Sequence, residues 1–168
     1  STAYHYKYQI KEIIESEFID TSGEKVQRIE RYIRKNDSLP WVIKDVWTCN
    51  LQQFSAQKVE ENQRYVKLSF PIYLDKEWNG NKYNTQDPWN YHYTSVDEPL
   101  TLGTFSFDST LTVLQFDSKN IIKQTHSLEK YAKHIGMIYK EYLDVSTSTT
   151  GKIISGVEYT MTAHSLGN

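Results

Sequence analysis

Period-two alternation is the feature that most constrains what this chain can fold into. Residues 135–166, IGMIYKEYLDVSTSTTGKIISGVEYTMTAHSL, form two alternating runs about a polar Ser/Thr/Gly turn. Ile135, Met137, Tyr139 and Leu143 share one parity, and Ile153, Val157, Tyr159 and Met161 share one in the second run. Successive strand side chains point to opposite faces, so this pattern predicts an antiparallel hairpin with one buried face. Similar runs recur upstream. Tyr4, Tyr6, Tyr8 and Ile10 open the chain, and the adjacent pair Ile13-Ile14 breaks the phase, as a bulge would. Trp41, Ile43 and Trp47 follow, then Val66, Leu68, Phe70, Ile72 and Leu74, then Phe105, Phe107, Leu111 and Val113. Pro71 cannot donate to a ladder, so it marks an edge, a strand end or a bulge.

Between these runs lie turn signals: Asp20 to Gly23, Asn36 to Pro40, Asn79-Gly80, and Asp117 to Asn120. Residues 26–34 alternate less cleanly, and Ile29 and Ile33 would also suit a helix. The turn at 20–23 between two extended runs favours a hairpin there. Ser127 can cap a single helical turn over 127–132. The fold expected is therefore mainly β: a single antiparallel curved meander, open barrel or half-barrel, with at most a short helix. An aligned two-sheet β-sandwich is the alternative. At 168 residues the chain suits one domain, 1–168, with no linker or internal repeat.

Charge and composition narrow the function classes. Net charge is −2, from 19 basic and 21 acidic residues well mixed along the chain, so there is no electrostatic footprint for nucleic acid. The 13 tyrosines and 4 tryptophans suit half-exposed sheets, where a ring covers apolar neighbours and keeps a polar atom wet. Cys49 is the lone cysteine, which excludes an intramolecular disulfide and reads as an inert, buried thiol. No apolar run approaches the roughly 20 residues that a spanning helix needs.

Catalytic signatures are missing from the sequence. There is no G-x-S-x-G elbow, phosphate-binding glycine loop, H-E-x-x-H or calcium loop. His5, His92, His126, His134 and His164 stand at no ligand-like spacing from one another, so no metal site is expected. The carboxylates read as solvent-facing strand residues. One stretch differs: residues 76–99, KEWNGNKYNTQDPWNYHYTSVDEP, are dense in Asn, Gly, Pro and aromatics. They predict a long loop with a short strand near 89–94. Trp78, Asn79, Asn81, Trp89, Tyr91 and Tyr93 are the candidate ligand-binding residues, because aromatic planes beside amides can stack on sugar rings and bond their hydroxyls. The alternative is that Trp78 and Trp89 plug the end of a sheet while Asn supplies turn geometry.

Two segments carry a resemblance. RYVKLSFPIYLDKEWNGNKYN, at 64–84, and EKYAKHIGMIYKE, at 129–141, resemble an uncharacterised family of exported lipoproteins of Bacteroidetes. His134 stands where a glycine is usual in that group. The resemblance implies a lipidated cysteine upstream of Ser1, and a periplasmic or cell-surface protein anchored to the outer membrane. It brings no catalytic residue. The expectation is thus a non-enzymatic cell-envelope lipoprotein without cofactors, a binding or assembly module. Its partner would be an envelope protein, a glycan or a lipid, and it would meet the membrane only through that anchor. Two alternatives are a carrier of a lipid on a concave sheet, and a carbohydrate-binding protein or glycan hydrolase acting through the 78–93 loop.

Overall fold

The computed structural model describes residues 4–167, which form eleven strands and, among the described residues, no helix. The first sheet holds β1 (Gln9–Ile19), β2 (Lys25–Arg34), β3 (Val42–Leu51), β4 (Ser55–Glu60) and β5 (Gln63–Ser69). The second holds β6 (Glu77–Asn79), β7 (Asn90–Leu102), β8 (Phe105–Lys119), β9 (Lys123–Ala132), β10 (Gly136–Thr147) and β11 (Ile153–Thr162). Each sheet runs in chain order through antiparallel neighbours, and neither closes into a barrel. The strands thus divide into two meanders where the sequence suggested one. Two compact units follow the same division. The first sheet and the loop Asn81–Asp87 make one, and Pro71–Gly80 with the strands from β7 onward make the other.

Alternation located most strands but misjudged several ends. Strand β1 begins at Gln9, so Tyr4, Tyr6 and Tyr8 precede the ladder and stand exposed. Its bulge lies between Ile14 and Ser16, one residue past the expected place. Strand β5 stops at Ser69, because Pro71 cannot continue a ladder, and Ile72 and Leu74 lie in the connection that follows. The polar run at 55–60 is a strand. Glu61 and Asn62 join it to β5 with both φ angles positive, 49° and 61°, the conformation of a two-residue hairpin turn.

Residues 127–132 form part of β9 and not a helical turn. Ser127 and Glu129 both sit fully buried on one face of that strand. A single turn would fix three residues for one hydrogen bond, whereas the strand has neighbours on both sides. The closing hairpin is present as β10 and β11, but its burial is not what parity predicted. Ile138, at a register shift, and Val145 are the buried apolar residues of β10, while Val157 and Tyr159 of β11 are exposed. His134 takes a φ of 65° in the β9–β10 turn, a geometry glycine adopts at less cost.

The first sheet buries Val26, Ile29 and Val66. Beside them runs a half-buried belt of charge. Arg31 and Lys58 each lie 4.5 Å from the Trp47 ring. Arg31 reaches Glu12 and Asp45, both at 3.4 Å. Lys58 meets Glu12 at 3.6 Å and Glu60 at 3.4 Å. In the second sheet Phe107, Ala132 and Ile138 cluster, with Phe105 and Leu102 against them. Tyr91, Tyr93 and Val113 are buried there too.

Candidate functional site

The six candidate residues fall on both sides of a short hairpin. Trp78 pairs with Tyr91 and Asn79 with Asn90 across β6 and β7. Beyond the strand the ladder is closed by two bonds: Gly80 N donates to Trp89 O at 2.9 Å, and Trp89 N donates to Asn79 Oδ1 at 3.1 Å. Gly80 is required here by close approach. A Cβ built on it would lie 2.3 Å from the Tyr91 ring. The Trp78 indole meets Tyr91 edge-on at 6.0 Å and Tyr93 at 4.6 Å. Tyr91 and Tyr93 are buried, so their rings pack within the sheet and present no open plane.

Asn81 is buried within the other compact unit. Its Nδ2 donates to Asp87 O at 2.7 Å, and its Oδ1 accepts from Asn84 Nδ2 at 3.2 Å. Asn84 Nδ2 also donates to Arg64 O at 3.0 Å, tying the loop to β5. The amide chemistry that suggested sugar hydroxyls therefore holds the chain's own backbone.

Trp89 is the exposed member of the set. Its ring leans on Phe116 at 4.3 Å, Phe116 meets Tyr142 edge-on at 6.0 Å, and Tyr142 stacks on Tyr159 at 5.2 Å. This row crosses β8 to β11 on one face. It is continuous because Ser127, opposite both Phe116 and Tyr142, is small enough for the two rings to meet above it. The sequence did not flag Phe116, Tyr142 or Tyr159, since nothing local to 116, 142 or 159 marks them as neighbours.

Three polar groupings also escaped a linear reading. Glu129 is fully buried, and its carboxylate takes Lys140 Nζ at 2.9 Å and the Tyr131 hydroxyl at 2.6 Å. On the opposite face His126 lies between Asp117, 3.4 Å from Nδ1, and Glu141, 3.6 Å from Nε2. The two carboxylates flank opposite ring nitrogens and do not converge on one ion. Among the described residues no group of His, Cys, Asp and Glu has metal-binding geometry. Tyr139 donates to Glu141, and this bond holds its phenol up at about 12, with burial adding to the effect. Cys49 is half-buried, and desolvation raises its thiol, which leaves little nucleophilic thiolate.

An open depression of about 400 Å³ lies beside β3, lined by Lys44, Asp45, Val46, Trp47, Glu61 and Asn62. Trp47 Nε1 donates to Glu61 Oε1 at 3.3 Å across it. Its lining is largely polar, unlike the dry walls an acyl chain needs. The chain matches no family model, no curated protein and no solved structure.

Proposed function

We propose that this chain is a non-enzymatic binding or assembly module of the cell envelope, held to the outer membrane by a lipid on a residue upstream of Ser1. What carries the reading is the apolar surface of the first sheet. Ile13, Ile14, Phe18 and Ile19 of β1, and Val42, Ile43 and Val46 of β3, are all exposed. Ile13 and Val46 flank Glu30 in one cross-strand row. A folded chain rarely leaves so many β-branched side chains in water unless a partner covers them. The polar groups inside both sheets are paired with one another, which fits a scaffold better than a reaction centre. The reach of Lys58 on β4 to Glu12 on β1, past two intervening strands, supports a curved sheet in this unit.

A photo-reactive residue placed at Ile43 or Val46, in cells of the native host, tests the reading. It should give an adduct of discrete mass in the membrane fraction, absent when the probe sits at Ser22. No adduct at either apolar position would overturn it.

A further inference from the structure

Each sheet of this protein has two outer strands, and three of the four edges are blunted in recognisable ways. Strand β1 carries a bulge at Glu15 together with Lys11, Glu12 and Glu17. Strand β5 is tied to its own loop through Asn84 and Arg64. Strand β6 is only three residues long. Bulges, edge charges, covering loops and shortness are the usual defences against edge-to-edge pairing. Strand β11 has little of this. It runs ten residues, contains no Lys or Pro, and carries Glu158 as its single charge. Val157 is 56% exposed and Tyr159 37%.

We propose that β11 pairs antiparallel with β11 of a second copy of this chain, about a two-fold axis at Tyr159. The main chain sets which residues can do so. Ala163 N donates to Ile138 O at 2.8 Å, which makes 138 and 163 a bonded pair. Bonded and non-bonded pairs alternate along an antiparallel ladder. With Tyr142 opposite Tyr159 and Leu143 opposite Glu158, the amides of Glu158 and Thr160 point away from β10. They are free to form the outer ladder. An axis at Tyr159 bonds Glu158 to Thr160 of the partner subunit, and sets Tyr159 against Tyr159 of the partner subunit in a close, non-bonded pair.

The side chains select this register over its neighbours. An axis at Glu158 would oppose two carboxylates, which is unfavourable. An axis at Val157 would draw Gly156 into the bonded pairs, but its φ of 132° departs from strand geometry. At Tyr159 the one charge of the strand meets a threonine. The aromatic row that ends in Tyr142 and Tyr159 then continues into the same row of the second copy. This self-pairing is independent of the apolar surface on β1 and β3, so either can fail without the other.

The test is cysteine pairing in a Cys49→Ser background. Tyr159→Cys should oxidise to a disulfide-linked dimer, because directly opposed non-bonded strand positions have the Cβ spacing a disulfide accepts. Val157→Cys and Thr160→Cys, which do not face themselves, should cross-link several-fold less. Sedimentation of the unmodified chain should show a mass that rises toward twice the monomer with concentration. Tyr159→Glu, which opposes two carboxylates, should keep it monomeric with the β spectrum intact. A wild-type monomer at all concentrations, or equal cross-linking at the three positions, would overturn the proposal.

Discussion

The Glu129–Lys140 pair gives a prediction whose asymmetry follows from exposure. Glu129 is fully buried, while the Lys140 side chain keeps 16% of its surface in water. Removing one partner of a buried pair costs about 3–5 kcal/mol, because the survivor is left charged without compensation. Lys140→Met strands a carboxylate that cannot reach solvent, so it should cost the full amount, about 3–5 kcal/mol. Glu129→Leu strands an ammonium that can turn outward, so we expect about 2 kcal/mol, nearer the cost of its lost hydrogen bonds. The order is the opposite of what side-chain burial alone would suggest, since the deeper residue is the cheaper one to remove. The double variant Glu129→Leu/Lys140→Met buries no charge and should recover to within about 1 kcal/mol of wild type. Native-state hydrogen exchange at β9 and β10 amides reads these energies without mixing in the other sheet. If Glu129→Leu proved costlier than Lys140→Met, or the double variant as poor as the two changes summed, the desolvation argument would be refuted.

Two further outcomes follow from single contacts. Gly80→Ala drives a methyl into the buried Tyr91 ring and should cost about 1–3 kcal/mol, with Trp78 emission shifting to the red as its cage opens. Tyr139 keeps its proton to about 12 in the fold, through its bond to Glu141, against an ordinary value of 10.0. The contribution of that bond is therefore whole below pH 10, where both states are protonated, and is lost as pH rises from there through about 12. Unfolding free energies of wild type and Tyr139→Phe should converge over that interval, and parallel curves would show that the phenol is not held.

Alternation made the β class legible because period two is local and needs only neighbouring residues. It also located nearly every strand, including β2, where Ile29 and Ile33 left a helix open. What it could not show was which strands face water on both sides. Val157, Tyr159 and Met161 alternate as a buried strand would, yet β11 is an edge, and edge position is decided by residues far off in the chain. Two sheets replaced one for the same reason, since the break near Pro71 looks locally like any other turn. Strand β4 was hidden by polar residues whose partners, Gln52 and Arg64, lie outside the strand. The aromatic loop was visible at once, but its chemistry was not. Trp78, Tyr91 and Tyr93 pack on one another, Asn79 and Asn81 bond backbone, and Trp89 alone faces outward, against a row drawn from three other strands.

The central claim is that the apolar residues of β1 and β3 cover a partner rather than a core. The measurement that bears on it most directly is the in-cell adduct from a photo-reactive residue at Ile43, made in an Ile13→Lys/Val46→Lys background. Both changed side chains flank Glu30 on an exposed face, so the fold should be unaffected, with Tm within about 2 °C of wild type. The account predicts that the adduct falls several-fold at this unchanged Tm. An adduct of undiminished yield, or one lost only together with a collapse in Tm, would contradict it.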